Sequence, residues 1–149
     1  MADLAAEAGI GRTSIYNHFV DKDAVVVAFA GAETNRYLER LRVALDGADS
    51  PADAMRTYIR EHLASSDEFH FGFGPELYAM LSNESMAEIR EHVTAVESVL
   101  RTIVEDGIAS GLFVDSDVRS TMSLIHTCLQ ARNVSSAAIE EFVLNALLA

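Results

Sequence analysis

A chain of 149 residues is long enough for one substantial core, or for one such domain with a small module attached. Half of its residues are hydrophobic, Trp is absent, and only Pro51 and Pro75 interrupt a sequence rich in Ala, Leu and Glu; this excludes a disordered chain and points to an all-α fold. The net charge of −12 opposes long-range attraction to a polyanion, but groove binding needs only a local set of side chains, so charge alone does not exclude nucleic acid.

The most apolar runs, such as Ala24 to Ala30, fall far short of the roughly 20 residues that cross a bilayer, so no membrane span is expected. Residues Met1 to Glu7 lack the basic flank and apolar stretch of a secretory signal, and Cys128 is the lone cysteine; the expected compartment is the cytoplasm. His62, His92, His126 and Cys128 show no metal-ligand spacing, and neither a Gly-rich phosphate loop nor a nucleophile elbow is present. Catalysis, a metal and a cofactor are therefore not expected.

In chain order, Asp3 to Ala8 reads as a short helix stopped by Gly9, and Arg12 to Phe19 as a second one after Gly9-Ile10-Gly11. Leu4, Ala5, Ala8, Ile10, Ile15 and Phe19 can converge on one small core, leaving Arg12, Thr13, Ser14 and Asn17 outside. Asp21 caps a long helix from Lys22 to Leu45, with Gly47 just past its end. Ser50-Pro51 opens another helix to about Ala64. Residues 65 to 75, with two glycines, Pro75 and alternating Phe69, Phe71 and Phe73, read as a loop, and a helix follows from Glu76 to Ser82. Ile89, Val93, Val96, Leu100 and Ile103 form the apolar seam of a helix from Ser85 to Asp106. Gly107 and Gly111 bracket a short connection, and two apolar helices, Asp115 to Gln130 and Ser135 to Leu148, end the chain.

The run from Leu4 to Val25 carries three motifs in order: Ala8-Gly9-Ile10 at the turn, Tyr16-Asn17-His18-Phe19 closing the second helix, and Lys22-Asp23-Ala24-Val25 opening the third. This segment resembles the second and third helices of the tetracycline-repressor (TetR) family's DNA-binding domain. The family's domain opens with a further helix ahead of this segment, so the helix-turn-helix is expected to be N-terminally truncated here and to hold DNA weakly. The resemblance implies a helix-turn-helix domain over 1–30 and a helical effector-binding and dimerisation domain over 31–149. It implies a regulator, in the first instance a repressor, that binds a palindromic operator as a homodimer through its last two helices and answers a small apolar or amphipathic effector.

Within that resemblance each position has a mechanical reason. Gly9 permits a tight turn, Ile10, Ile15 and Phe19 pin the two helices, and the polar face of the second enters the major groove. Arg12, Thr13, Ser14 and Asn17 are the candidates for base edges and nearby phosphates, and Tyr16, His18 and Lys22 for phosphate oxygens. Effector candidates are the aromatics, methionines and histidines that can lie between helices: Phe69, Phe71, Phe73, Tyr78, Met80, Met86, His92, Met122 and His126. Each of them is also the kind of residue that simply fills a core. A second reading stays open: a helical small-molecule-binding or interaction module that has lost DNA binding.

Overall fold

The computed structural model describes residues 1–66 and 81–149. Among the described residues are seven α-helices: α1 (Ala2–Glu7), α2 (Arg12–His18), α3 (Lys22–Leu45), α4 (Pro51–Ser66), α5 (Asn83–Ala109), α6 (Val118–Leu129) and α7 (Ser136–Leu147). They divide between two compact units. Phe69, Phe71, Phe73, Tyr78 and Met80, with most of the loop and helix expected over 65–82, lie outside the described residues.

The first unit holds Met1–Asn35 and, among the described residues, 81–93. Here α1 ends because Gly9 adopts φ +65°, a conformation that costs a Cβ-bearing residue about 1 kcal/mol or more. Its N–H donates to the Ala6 carbonyl at 3.2 Å while the Ile10 N–H reaches the Ala5 carbonyl at 3.0 Å, which satisfies carbonyls that the helix end would leave bare. The small core consists of buried Met1, Ala5 and Ile15, with Phe19 and Val25 packed against it. Leu4 and Ile10, expected in that core, are 40% and 44% exposed, and Ala8 is exposed as well. Two helices of six and seven residues meeting across a tight turn bury only one narrow stripe each.

The second unit comprises 36–66 and Thr94–Ala149, and it carries the main core. Tyr37 and Leu41 of α3, Met55, Tyr58 and Ile59 of α4, and Leu100 and Val104 of α5 are nearly or fully buried. Burying each large side chain of this set contributes about 1.5–3 kcal/mol. The core continues into α6 through Met122, Ile125 and Leu129, and into α7 through Ile139, Val143, Leu144 and Leu147. Arg60 of α4 grips the Glu140 carboxylate of α7 from two nitrogens, at 2.7 and 2.9 Å. The chain end is tied down where the Val114 N–H donates to the Leu147 carbonyl at 2.8 Å and the Ala149 N–H to the Leu112 carbonyl at 3.0 Å.

Several element ends differ from expectation for local reasons. α6 starts at Val118 and not at Asp115, because the Asp117 carboxylate accepts the Ser120 N–H at 2.8 Å and so caps the helix there. Gly107 lies inside α5; the helix stops further on, where Gly111 takes φ +71°. Gly107 is needed for another reason. A Cβ at that position would stand 2.0 Å from the Phe113 ring, which folds back onto the helix. On α5, Val93 of the expected seam is half exposed, whereas Ile89, Leu100 and Ile103 of the same seam are buried.

His62 of α4 sits within this core, stacked on Tyr58 at 5.9 Å between ring centroids and edge-on to Tyr37 at 6.4 Å. Burial, together with the field of His126, holds its pKa below the ordinary histidine value. The Tyr58 hydroxyl is fully buried with no hydrogen-bond partner among the described residues, and burial, aided by Glu97, pushes its pKa up to about 12.

Gly107→Ala should destabilise the chain by about 2 kcal/mol or more in chemical denaturation, although Ala is the better helix former, because the Phe113 ring must leave its seat. A depressed histidine pKa means that the unfolded chain takes up the proton first, so stability is intact above the ordinary value of 6.5 and declines as pH falls below it. Melting curves between pH 7.5 and 5.5 should therefore show a decline in stability that is shallower in His62→Gln than in the parent.

Candidate nucleic-acid interface and effector region

Helix α2 is short and one-sided. Ile15 is its buried pin, 5% exposed, while Thr13, Ser14, Tyr16, Asn17 and His18 all face solvent. Gly11 precedes the helix in an extended conformation, and the Ser14 and Ile15 N–H groups both donate to its carbonyl, at 2.9 and 3.2 Å. The outward side chains thus offer hydroxyls, a carboxamide and an imidazole on a rigid turn of helix. Arg12 is the first residue of α2.

Phe19 ends α2 in an extended conformation, and the chain turns into α3 where the Ala24 N–H donates to the Asp21 carboxylate at 2.8 Å. Lys22, the sole lysine, opens α3 and is exposed. Asp23, one residue on, points elsewhere: its carboxylate accepts the Ser82 N–H at 2.8 Å and lies 3.4 Å from the Ser85 hydroxyl. It therefore joins the start of α3 to the start of α5, where a carboxylate complements the unpaired N–H groups of the first turn. Farther along the same helices the His92 ring lies on Gly31, with Nε2 2.9 Å from where a Cβ would stand. Sequence inspection passes over both contacts, since each joins residues about sixty positions apart.

Of the effector candidates among the described residues, Met86 and His92 belong to the first unit, and His92 serves there as packing against Gly31. Met122 and His126 belong to the second, where they line one cavity of about 500 Å³ between α5 and α6. A different cavity, about 340 Å³ and mainly apolar, lies on the outer side of α6 and α7 among Leu124, Ile125, Cys128, Phe142, Val143 and Ala146. Its rims are Leu124, 67% exposed, and Phe142, 65% exposed. Among the described residues no group of three or more His, Cys, Asp or Glu side chains is placed to hold a metal ion, and no helix is long and apolar enough to cross a membrane.

Two family models match the chain: bacterial regulatory proteins of the tetR family over residues 1–29, and the tetracyclin repressor-like C-terminal domain over residues 51–140. Comparison with the curated proteins gives no match. Among solved structures, the superantigen pfit aligns with a TM-score of 0.83 at 21% identity, over 99% of this chain and 77% of that one. The transcriptional regulator FadR from Bacillus subtilis, in complex with stearoyl-CoA, aligns at 0.79 and 20% identity over 99% and 86% of the two chains. A tetR-family regulatory protein from Rhodococcus RHA1 aligns at 0.80 and 18% over the same shares. At such identities the structural likeness speaks for the fold, whereas the family models cover both the helix-turn-helix and more than half of the whole sequence. The protein belongs to the tetR family of bacterial regulatory proteins and is a DNA-binding transcription regulator.

Proposed function

We propose that the chain represses transcription from a palindromic operator as a homodimer in the cytoplasm, and that a small apolar or amphipathic effector changes its hold on DNA. The observation that carries this reading is α2, a helix pinned by Ile15 that turns Thr13, Ser14, Tyr16, Asn17 and His18 outward shortly after the Gly9 turn. Arg12, Thr13, Ser14 and Asn17 read base edges and the nearest phosphates, and Tyr16, His18 and Lys22 hold the phosphates on either side. Residues 1–30 form the reading head and 31–149 the regulatory domain, a division supported by the family models over 1–29 and 51–140.

Dimerisation is assigned to α6 and α7. Both already bury one face in the core, yet Leu124 and Phe142 stand exposed on the other around an apolar hollow, and an isologous four-helix contact would cover them. Two heads held in this way can meet half-sites about one turn of DNA apart. Met122 and His126 are the effector candidates that share a cavity. The ligand of the Bacillus subtilis neighbour, stearoyl-CoA, supports an amphipathic class. The ligand must favour one arrangement of the heads over another, and α3, which begins at the head and continues into the regulatory unit, is the element to carry that preference.

On a site recovered by selection, Thr13→Ala and Asn17→Ala should each lower discrimination between the right and wrong bases by about tenfold to a hundredfold, with little change in affinity for unrelated DNA. Lys22→Gln should weaken all sequences alike and reduce the salt dependence by about one counterion per half-site. Fluorescence anisotropy across a salt series separates the two. Equal binding to every sequence by the parent would favour the helical module without DNA reading. For the dimer, Leu124→Glu with Phe142→Glu should convert the sedimenting species to monomer while the helical signal persists; an unchanged dimer would place the interface elsewhere.

A further inference from the structure

The cavity between α5 and α6 has a chemistry that the family assignment does not explain. α6 contributes Arg119, His126 and Thr127, and its C-cap Gln130, along one stripe, at the helical spacing that puts side chains on a common face. Arg101 faces them from α5, together with Glu97. The chain has only ten arginines and one lysine against 23 acidic residues, yet two arginines and a histidine line this single recess with one carboxylate. Arg101 is held loosely, 3.7 Å from Glu105, with both side chains about half exposed. Arg119 makes no ion pair among the described residues. Glu105 and Asp117 lie beside the two arginines, but the lining of the recess itself sets two guanidiniums, an imidazole, a hydroxyl and a carboxamide against the single carboxylate of Glu97, a surplus of hydrogen-bond donors that suits an anion.

We infer that this recess binds the anionic group, phosphate or carboxylate, of a small molecule, gripped between the Arg101 and Arg119 guanidiniums with Thr127 and Gln130 as hydrogen-bonding partners. The inference rests on the effector reading above and deepens it: an amphipathic effector would place its charged end here. The volume of about 500 Å³ admits a group larger than a lone phosphate. Met122 belongs to the buried core, so the recess borders the apolar interior that the rest of such a ligand would seek. Guanidinium pairs recognise a planar or tetrahedral oxyanion through paired N–H donors, which an ammonium cannot reproduce.

The test is an NMR titration of the isotope-labelled full chain with inorganic pyrophosphate and, separately, with hexanoate, both at 150 mM chloride. Saturable shifts centred on the Thr127 and Gln130 amides are expected with at least one of the two probes, and the responding probe tells phosphate from carboxylate. Binding should weaken at least tenfold in Arg101→Gln with Arg119→Gln, whose melting temperature should stay near the parent's because both side chains are at the surface. Arg56→Gln, at another surface arginine, should bind as the parent does. Silence with both probes, or shifts that persist in the double variant, would overturn the assignment. A chain whose operator binding answers some other small molecule while this recess ignores both probes would keep the regulatory reading and lose this site. A recess that binds anions in a chain that holds no operator would do the reverse.

Discussion

The contact between the Phe113 ring and the bare backbone of Gly107 organises the larger of the two units. Because position 107 has no side chain, the ring covers the end of α5, and the loop behind it turns back through Gly111. From that anchor Val114 reaches the Leu147 carbonyl, and the last residue reaches Leu112, so α6 and α7 are held at both ends of the loop that joins them to α5. Their inner faces then meet α4, where Met55, Tyr58 and Ile59 lie fully buried. The outer faces, with Leu124 and Phe142, are left uncovered as a consequence of where the core stops. This exposed apolar face is the basis of the dimer proposed above.

In the smaller unit the same logic works at a smaller scale. Gly9 turns the chain, Ile15 pins α2 with Ala5 and Met1, and the remaining positions of α2 are free to be polar. Asp23 and Gly31 then connect α3 to α5, the first by capping, the second by leaving room for the His92 ring against the helix. α3 and α5 each have one end in this unit and the other in the larger one. The acidity of the chain as a whole is compatible with DNA binding because the polar face of α2 carries no carboxylate between Arg12 and His18.

How much of this was legible in the sequence follows from whether the deciding interaction is local. Asp21 and Leu45 bounded α3 correctly because a cap and a following glycine act within a turn of the helix end. The turn at Gly9 and the inward Ile15 were equally readable. The start of α6 was misplaced because Asp115 and Asp117 both have the chemistry of a cap, and only the bond to Ser120 chooses between them. Gly107 looked like a helix end because its true reason, the Phe113 ring, is tertiary. Leu4 and Ile10 fit the periodicity of a core whose helices are too short to enclose them. The Asp23 link spans 59 positions, and Arg101 and Arg119 sit on different helices, so neither the link nor the recess leaves a local trace.

The claim on which the rest turns is that α2 reads a particular DNA sequence in the context of a dimer. It is tested most directly by retaining sheared genomic DNA on the purified chain, sequencing what is held, and repeating the experiment at raised salt. The account predicts a small number of enriched sites, each with two inverted half-sites about one helical turn apart, and their loss as salt rises. Retention without any preferred sequence, or none at all, would contradict it.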